Sequence, residues 1–221
     1  MMRSLLFLAV LATSATAQPA RVLFLGNSIT LHGPKADIGW TGNWGMAASA
    51  ADRDYVHLVT RALTEKSGEA PDVWVRNIAD FERAHQGYDA GTRLREAVDF
   101  KADLIILAIG ENVPALKTIE AQERFQADVT GLLRTLQGDR QPTILVRSCF
   151  WANPAKDTAL REAGRAVGAI FVDIRDLGSQ EENYARSERD HEHAGVARHP
   201  GDRGMAAIAR ALIAALPAAA P

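Results

Sequence analysis

Three residues spaced along this chain have the types needed for acyl chemistry, provided the fold brings them together. Ser28 lies in Gly26-Asn27-Ser28-Ile29-Thr30, directly after the apolar run Arg21-Val22-Leu23-Phe24-Leu25. That run is short and bulky, as in a buried parallel strand, so the turn after it presents a hydroxyl at the carboxyl end of the strand. A serine there becomes a nucleophile only if a base and an oxyanion site exist elsewhere. Asn112, in Gly110-Glu111-Asn112 after a second apolar run, carries an amide NH₂ able to donate to a developing oxyanion. The backbone N–H of Ser28 is a second natural donor. His199, in His199-Pro200-Gly201-Asp202-Arg203-Gly204, stands just before the last helical segment and supplies the base, with Asp202 expected as that helix's N-cap.

The elements that must position these groups alternate along the chain. Strand-like runs fall at Val22–Leu25, Asp72–Asn77, Leu104–Ile109, Thr143–Ser148 and Ala169–Asp173. Amphipathic segments fall between and after them, at Tyr55–Lys66, Ala90–Asp99, Ile119–Leu136, Ala155–Val167 and Asp202–Leu216. This alternation predicts an α/β fold, a flavodoxin-like three-layer α/β/α sandwich on a five-stranded parallel sheet of order 2-1-3-4-5. In that order strands one and three flank the topological switch point, so Ser28 and Asn112 face one crevice. Two segments break the alternation: Leu31–Arg53, rich in Gly and Trp, and the polar stretch Leu177–Gly201. Loops this long in a small domain tend to carry function.

Residues 1–17 read as a signal peptide rather than as structure. Arg3 gives a positive start, Leu5–Leu11 an apolar stretch, and Ala15-Thr16-Ala17 a small-residue cleavage site. The alternative is an uncleaved N-terminal anchor. Cleavage near Ala17 predicts an exported protein, periplasmic or secreted, with 18–221 as one domain and no membrane insertion. A formal net charge of −2 offers no basic face for nucleic acid. The single cysteine, Cys149, sits in an apolar run and reads as a small buried hydrophobe.

Taken together, the blocks around Ser28, Asn112 and His199 resemble those of the SGNH (GDSL-type) hydrolase superfamily over essentially the whole mature sequence. The resemblance implies Ser28 as nucleophile, His199 as general base and then acid, Asn112 as oxyanion donor, and no cofactor. It also implies esterase chemistry, with lipases, thioesterases, arylesterases and carbohydrate acetylesterases all represented in the family. There are departures. Asn27 stands where the family commonly has Asp. The second block, Asn77-Ile78-Ala79-Asp80-Phe81-Glu82, lacks the usual glycine, and the backbone N–H of Glu82 or a neighbour takes its place as donor. Val196 occupies the usual position of the triad acid, three residues before the histidine. Either a carbonyl orients the imidazole in a Ser-His dyad, or an acid arrives from the adjacent loop, where Glu192 is preferred and Asp190 is the other choice.

The aromatic residues bear on the substrate. Trp40 and Trp44, among glycines in the loop after the nucleophile, and Trp151, after strand four, are candidate substrate-binding residues; alternatively the loop packs on its own indoles. The histidines of His191-Glu192-His193 could be read as metal ligands, but that reading leaves Ser28 and Asn112 without roles, and no metal is expected. The expected partner is a small-molecule or glycan ester, with a short acyl group, acetyl, on a carbohydrate. An O-acyltransferase and a non-catalytic carbohydrate-binding protein are the alternatives on the same fold.

Overall fold

The computed structural model describes residues 18–218. The expected signal peptide and its cleavage site fall outside this range. Five strands, β1 (Arg21–Gly26), β2 (Asp72–Asn77), β3 (Leu104–Ala108), β4 (Thr143–Arg147) and β5 (Ile170–Val172), form one sheet. All pairs are parallel and the order is β2-β1-β3-β4-β5, as the alternation predicted. The helices are α1 (Tyr55–Ser67), α2 (Ala79–Arg83), α3 (Ala90–Arg93), α4 (Arg95–Asp99), α5 (Ile119–Gln137), α6 (Pro154–Arg165), α7 (Ala194–Ala197) and α8 (Asp202–Ala215).

The central strands are largely apolar because both faces are covered, and their side chains divide with a period of two. Leu23, Leu25, Ile105, Leu107, Ile144 and Val146 point to one face, where they pack with α2 through α6. Val22, Phe24, Leu104, Ile106 and Leu145 point to the other, against α1 and α8. Each such fully buried side chain contributes about 1.5–3 kcal/mol of transfer free energy. β2 lies at the edge of the sheet, so Trp74 in the middle of this strand is only half-buried and stacks edge-on against Phe100.

Helix starts follow local chemistry. Asp54, Thr118 and Asn153 accept from His57 N, Ala121 N and Lys156 N to cap α1, α5 and α6, with Pro154 opening α6. Two expectations need correction. The segment 90–99 is not one helix: the chain breaks at Leu94 (φ −118°, ψ 26°), whose side chain is fully buried. Asp202 does not cap α8; Glu188, from the preceding loop, accepts from Asp202 N and Arg203 N at 2.7 Å each. Asp202 instead accepts from Ser49 N and Oγ (2.8 and 2.6 Å), tying the first long loop to the start of α8. Among the described residues no helix is long and apolar enough to cross a membrane.

Candidate active site

The turn after β1 is built around Asn27. Its carbonyl accepts from Thr30 N and Leu31 N, and its Oδ1 accepts from Ile29 N at 3.1 Å. Gly26 is required here, since a Cβ would lie 1.9 Å from Thr30 Oγ1 and 2.8 Å from the Ala108 carbonyl of β3. The turn leaves Ser28 N–H without an acceptor among the described residues, while Ser28 O accepts from Met46 N. Ser28 Oγ lies 2.8 Å from His199 Nε2.

His199 Nδ1 lies 2.7 Å from the Gly195 carbonyl. A carbonyl only accepts, so Nδ1 carries the proton, and Nε2 of the neutral ring is left to accept from Ser28 Oγ–H. This corrects the expectation for Glu192, which does not meet the imidazole. The chain reaches Gly195 through α7, and Val196 turns its side chain into an apolar cluster with Trp40, Met46, Ala47 and Ala185. The carbonyl one residue earlier thus fills the place of an acid side chain. Burial lowers the pKa of His199, with the bond to Gly195 opposing in part. The imidazole therefore stays neutral, as a base requires. The acid limb of kcat/KM is expected to have its midpoint below the ordinary imidazole value of about 6.5, with activity lost as His199 takes a proton. A pH–rate profile with a midpoint above 7 would contradict this.

Asn112 shares a cleft of about 540 Å³ with Ser28, His199, Asn77 and Ala79. One of its amide hydrogens goes to Glu82 Oε2 (2.7 Å), leaving the other for a ligand. Glu82 is the main revision to the expected site. Its N–H is used within α2, bonded to Ile78 O, so it is not a backbone donor to the cleft. Its fully buried carboxylate is instead a hub that accepts from Asn112 Nδ2, Asn112 N, Gly110 N (2.7 Å) and Asn27 Nδ2 (3.1 Å). In the same turn Ala79 N–H is taken by Asn77 Oδ1 (2.9 Å), whereas Asp80 N–H has no acceptor among the described residues.

A second buried carboxylate, Glu111, accepts from Asn27 Nδ2 (2.6 Å), Phe150 N (2.9 Å) and Arg147 Nη1 (2.7 Å). Arg147 is itself fully buried. Burial opposes ionisation of Glu111, but the Arg147 charge and these hydrogen bonds hold its carboxyl below the usual range. Burial, and then the Glu111 charge, push Glu82 up, against its bonds from Asn112 and Gly110. Asn27 spans the two carboxylates with both hydrogens of one amide. Burial drives the Cys149 thiol far up, so it stays protonated and inert.

The tryptophans do not line the Ser28 cleft. Trp151 meets His199 edge to face (centroids 5.6 Å, 89°) and supports the ring. Trp40 and Trp44 pack on each other (5.6 Å, 75°), with Trp40 Nε1 donating to His32 O and Trp44 Nε1 to Ala48 O. They border a neighbouring cleft instead. His193 Nδ1 accepts from Gly195 N at the start of α7. Sequence reasoning missed Asn27, Glu111, Arg147 and Gly195 as parts of the site. The one sequence signal was a cluster of uncommon choices, an Asn for Asp at 27 and an unexplained acid at 82.

No protein-family model matches the chain, and no curated protein does. Solved structures do match. One, from Parabacteroides merdae, is described as a GDSL-like lipase (TM-score 0.56, 16% identity, 89% of this chain and 94% of that one). A lipase from a goat rumen metagenome matches at TM-score 0.50 and 15% identity, over 88% of this chain and 96% of that one. A family two carbohydrate esterase from Cellvibrio japonicus matches at TM-score 0.53 and 19% identity, over 90% of this chain and 61% of that one. At these identities the likeness establishes the fold: this chain has the three-layer sandwich of GDSL-type lipases and esterases.

Proposed function

We propose that this chain is a serine esterase of the SGNH type that removes a short acyl group, acetyl, from a carbohydrate after export. The observation that carries the esterase reading is the 2.8 Å contact of Ser28 Oγ with the acceptor nitrogen of a neutral His199. Ser28 Oγ attacks the ester carbonyl carbon while its proton passes to His199 Nε2. The carbonyl oxygen becomes an oxyanion, met by Asn112 Nδ2 and the N–H of Ser28. Collapse of the tetrahedral adduct expels the alcohol, which takes the proton from His199. Water then adds to the acyl-enzyme by the same route, releasing the acid and restoring Ser28.

Gly195 O performs the orienting half of a triad acid's work but carries only a partial negative charge. It therefore stabilises the imidazolium less than a carboxylate would. The carbohydrate part of the reading draws on the family two carbohydrate esterase among proteins of this fold, and the acetyl part is what the chain-length screen tests.

The test combines fluorophosphonate labelling with a screen of acyl chain length. Labelling at Ser28 and rates that fall beyond acetyl are expected. Absence of labelling would exclude the mechanism, and rates that rise with chain length would exclude the substrate.

A further inference from the structure

Beside the Ser28 cleft lies a second one of about 460 Å³, bordered by Trp40, Trp44, Asp190, His191 and Glu192. Ile38 and Val196 border both clefts, so they form the ridge between them. Each volume falls in the range of about 300–1,000 Å³ typical of ligand clefts. The mechanism uses nothing in the second one.

Its chemistry is divided in a specific way. Its apolar border is the half-buried Trp44 ring and the small part of Trp40 left exposed by its packing against Val196, both held in a fixed arrangement. Gly42 sits where a Cβ would come within 2.5 Å of the Trp40 ring and 2.7 Å of the Trp44 ring, so the loop closes on both indoles only with glycine there. Its polar border is largely uncommitted. The carboxylates of Asp190 and Glu192 have no hydrogen-bond or ion-pair partner among the described residues. His191 buries its Nε2 with no partner among the described residues. The cation in the cleft, Arg189, is already engaged with Glu188, Asp202 and the Ala47 carbonyl.

Indole surface and free acceptors bordering one cleft suit a molecule with C–H faces and hydroxyl edges. Two unpaired carboxylates accept from hydroxyls and repel anions. We infer that this second cleft is a subsite for an uncharged sugar residue in the alcohol part of the ester, seated across the Ile38–Val196 ridge from Ser28. The inference rests on the esterase reading and deepens it. It also gives the loop indoles a role distinct from contact at the reacting carbonyl.

The subsite and the chemistry can be separated by experiment. Binding is read in the intact protein from tryptophan fluorescence during titration with unsubstituted xylo-oligosaccharide and cello-oligosaccharide, which contain no ester. A saturable change is expected for at least one of them, and weakened at least tenfold in Asp190→Ala/Glu192→Ala. In the same double variant, kcat/KM for an acetylated oligosaccharide relative to that for p-nitrophenyl acetate should fall at least tenfold, through KM. No saturable change with either oligosaccharide, or an unaltered ratio, would overturn the subsite. Fluorophosphonate labelling of Ser28, measured alongside, reports separately on the esterase reading.

Discussion

Ser28→Ala is expected to lower kcat/KM for p-nitrophenyl acetate by about 10⁴-fold or more, because the acyl-enzyme route is closed. What remains comes from the oxyanion donors and from binding. The fold should survive: Ser28 is half-buried, and the substitution removes one side-chain contact, to His199. A net hydrogen bond is worth about 0.5–1.5 kcal/mol, which for a domain of this size moves Tm by only a few degrees. His199→Ala should fall to a similar level, and the double variant little further, since the two residues act as one unit. Turnover by Ser28→Ala equal to that of the parent, with Tm unchanged, would remove Ser28 from the mechanism.

The second large effect is expected of a change that looks harmless. Asn27→Asp installs the residue common in the family this sequence resembles, with nearly the same shape. Here it replaces an amide that donates to both Glu82 and Glu111 with a third carboxylate in contact with them. Arg147 is the one guanidinium in the cluster and is already paired with Glu111. An uncompensated buried charge costs about 3–5 kcal/mol, which corresponds to a Tm lower by about 10 °C at pH 7. Activity should fall as well, because Glu82 holds Asn112.

The pH dependence separates charge from lost bonds. A carboxyl crowded by like charges has its pKa raised in the folded state. The destabilisation is therefore full at pH 7 and recedes as the pH falls and the cluster takes up a proton. The deficit of Asn27→Asp should thus narrow from pH 7 to pH 5, while that of Asn27→Ala should not. A Tm for Asn27→Asp within 2 °C of the parent at pH 7 would refute this account of the cluster.

The strands were legible because each is a short apolar run with buried faces on both sides, and their alternation with amphipathic segments left few topologies. Ser28, Asn112 and His199 were legible because the first two follow the neighbouring strands β1 and β3 and the third stands just before the last helix. The helix break at Leu94 was not, since it depends on where one leucine finds its pocket. Nor was the cap of α8, because Glu188 reaches it across a loop while Asp202, in the right place by sequence, is drawn away to Ser49.

What orients His199 illustrates the division most clearly. The sequence by itself determined the sheet, the order of its strands, and a serine, an amide and an imidazole around one crevice, because hydrophobic period and chain direction set these locally. Only the tertiary structure decided that a backbone carbonyl, rather than Glu192, holds the imidazole, and that Asn27 must carry an amide. A carbonyl belongs to every residue and so leaves no mark in a sequence. The need for an amide at 27 exists only once Glu82 and Glu111, 55 and 84 residues away in sequence, meet it in the same buried cluster.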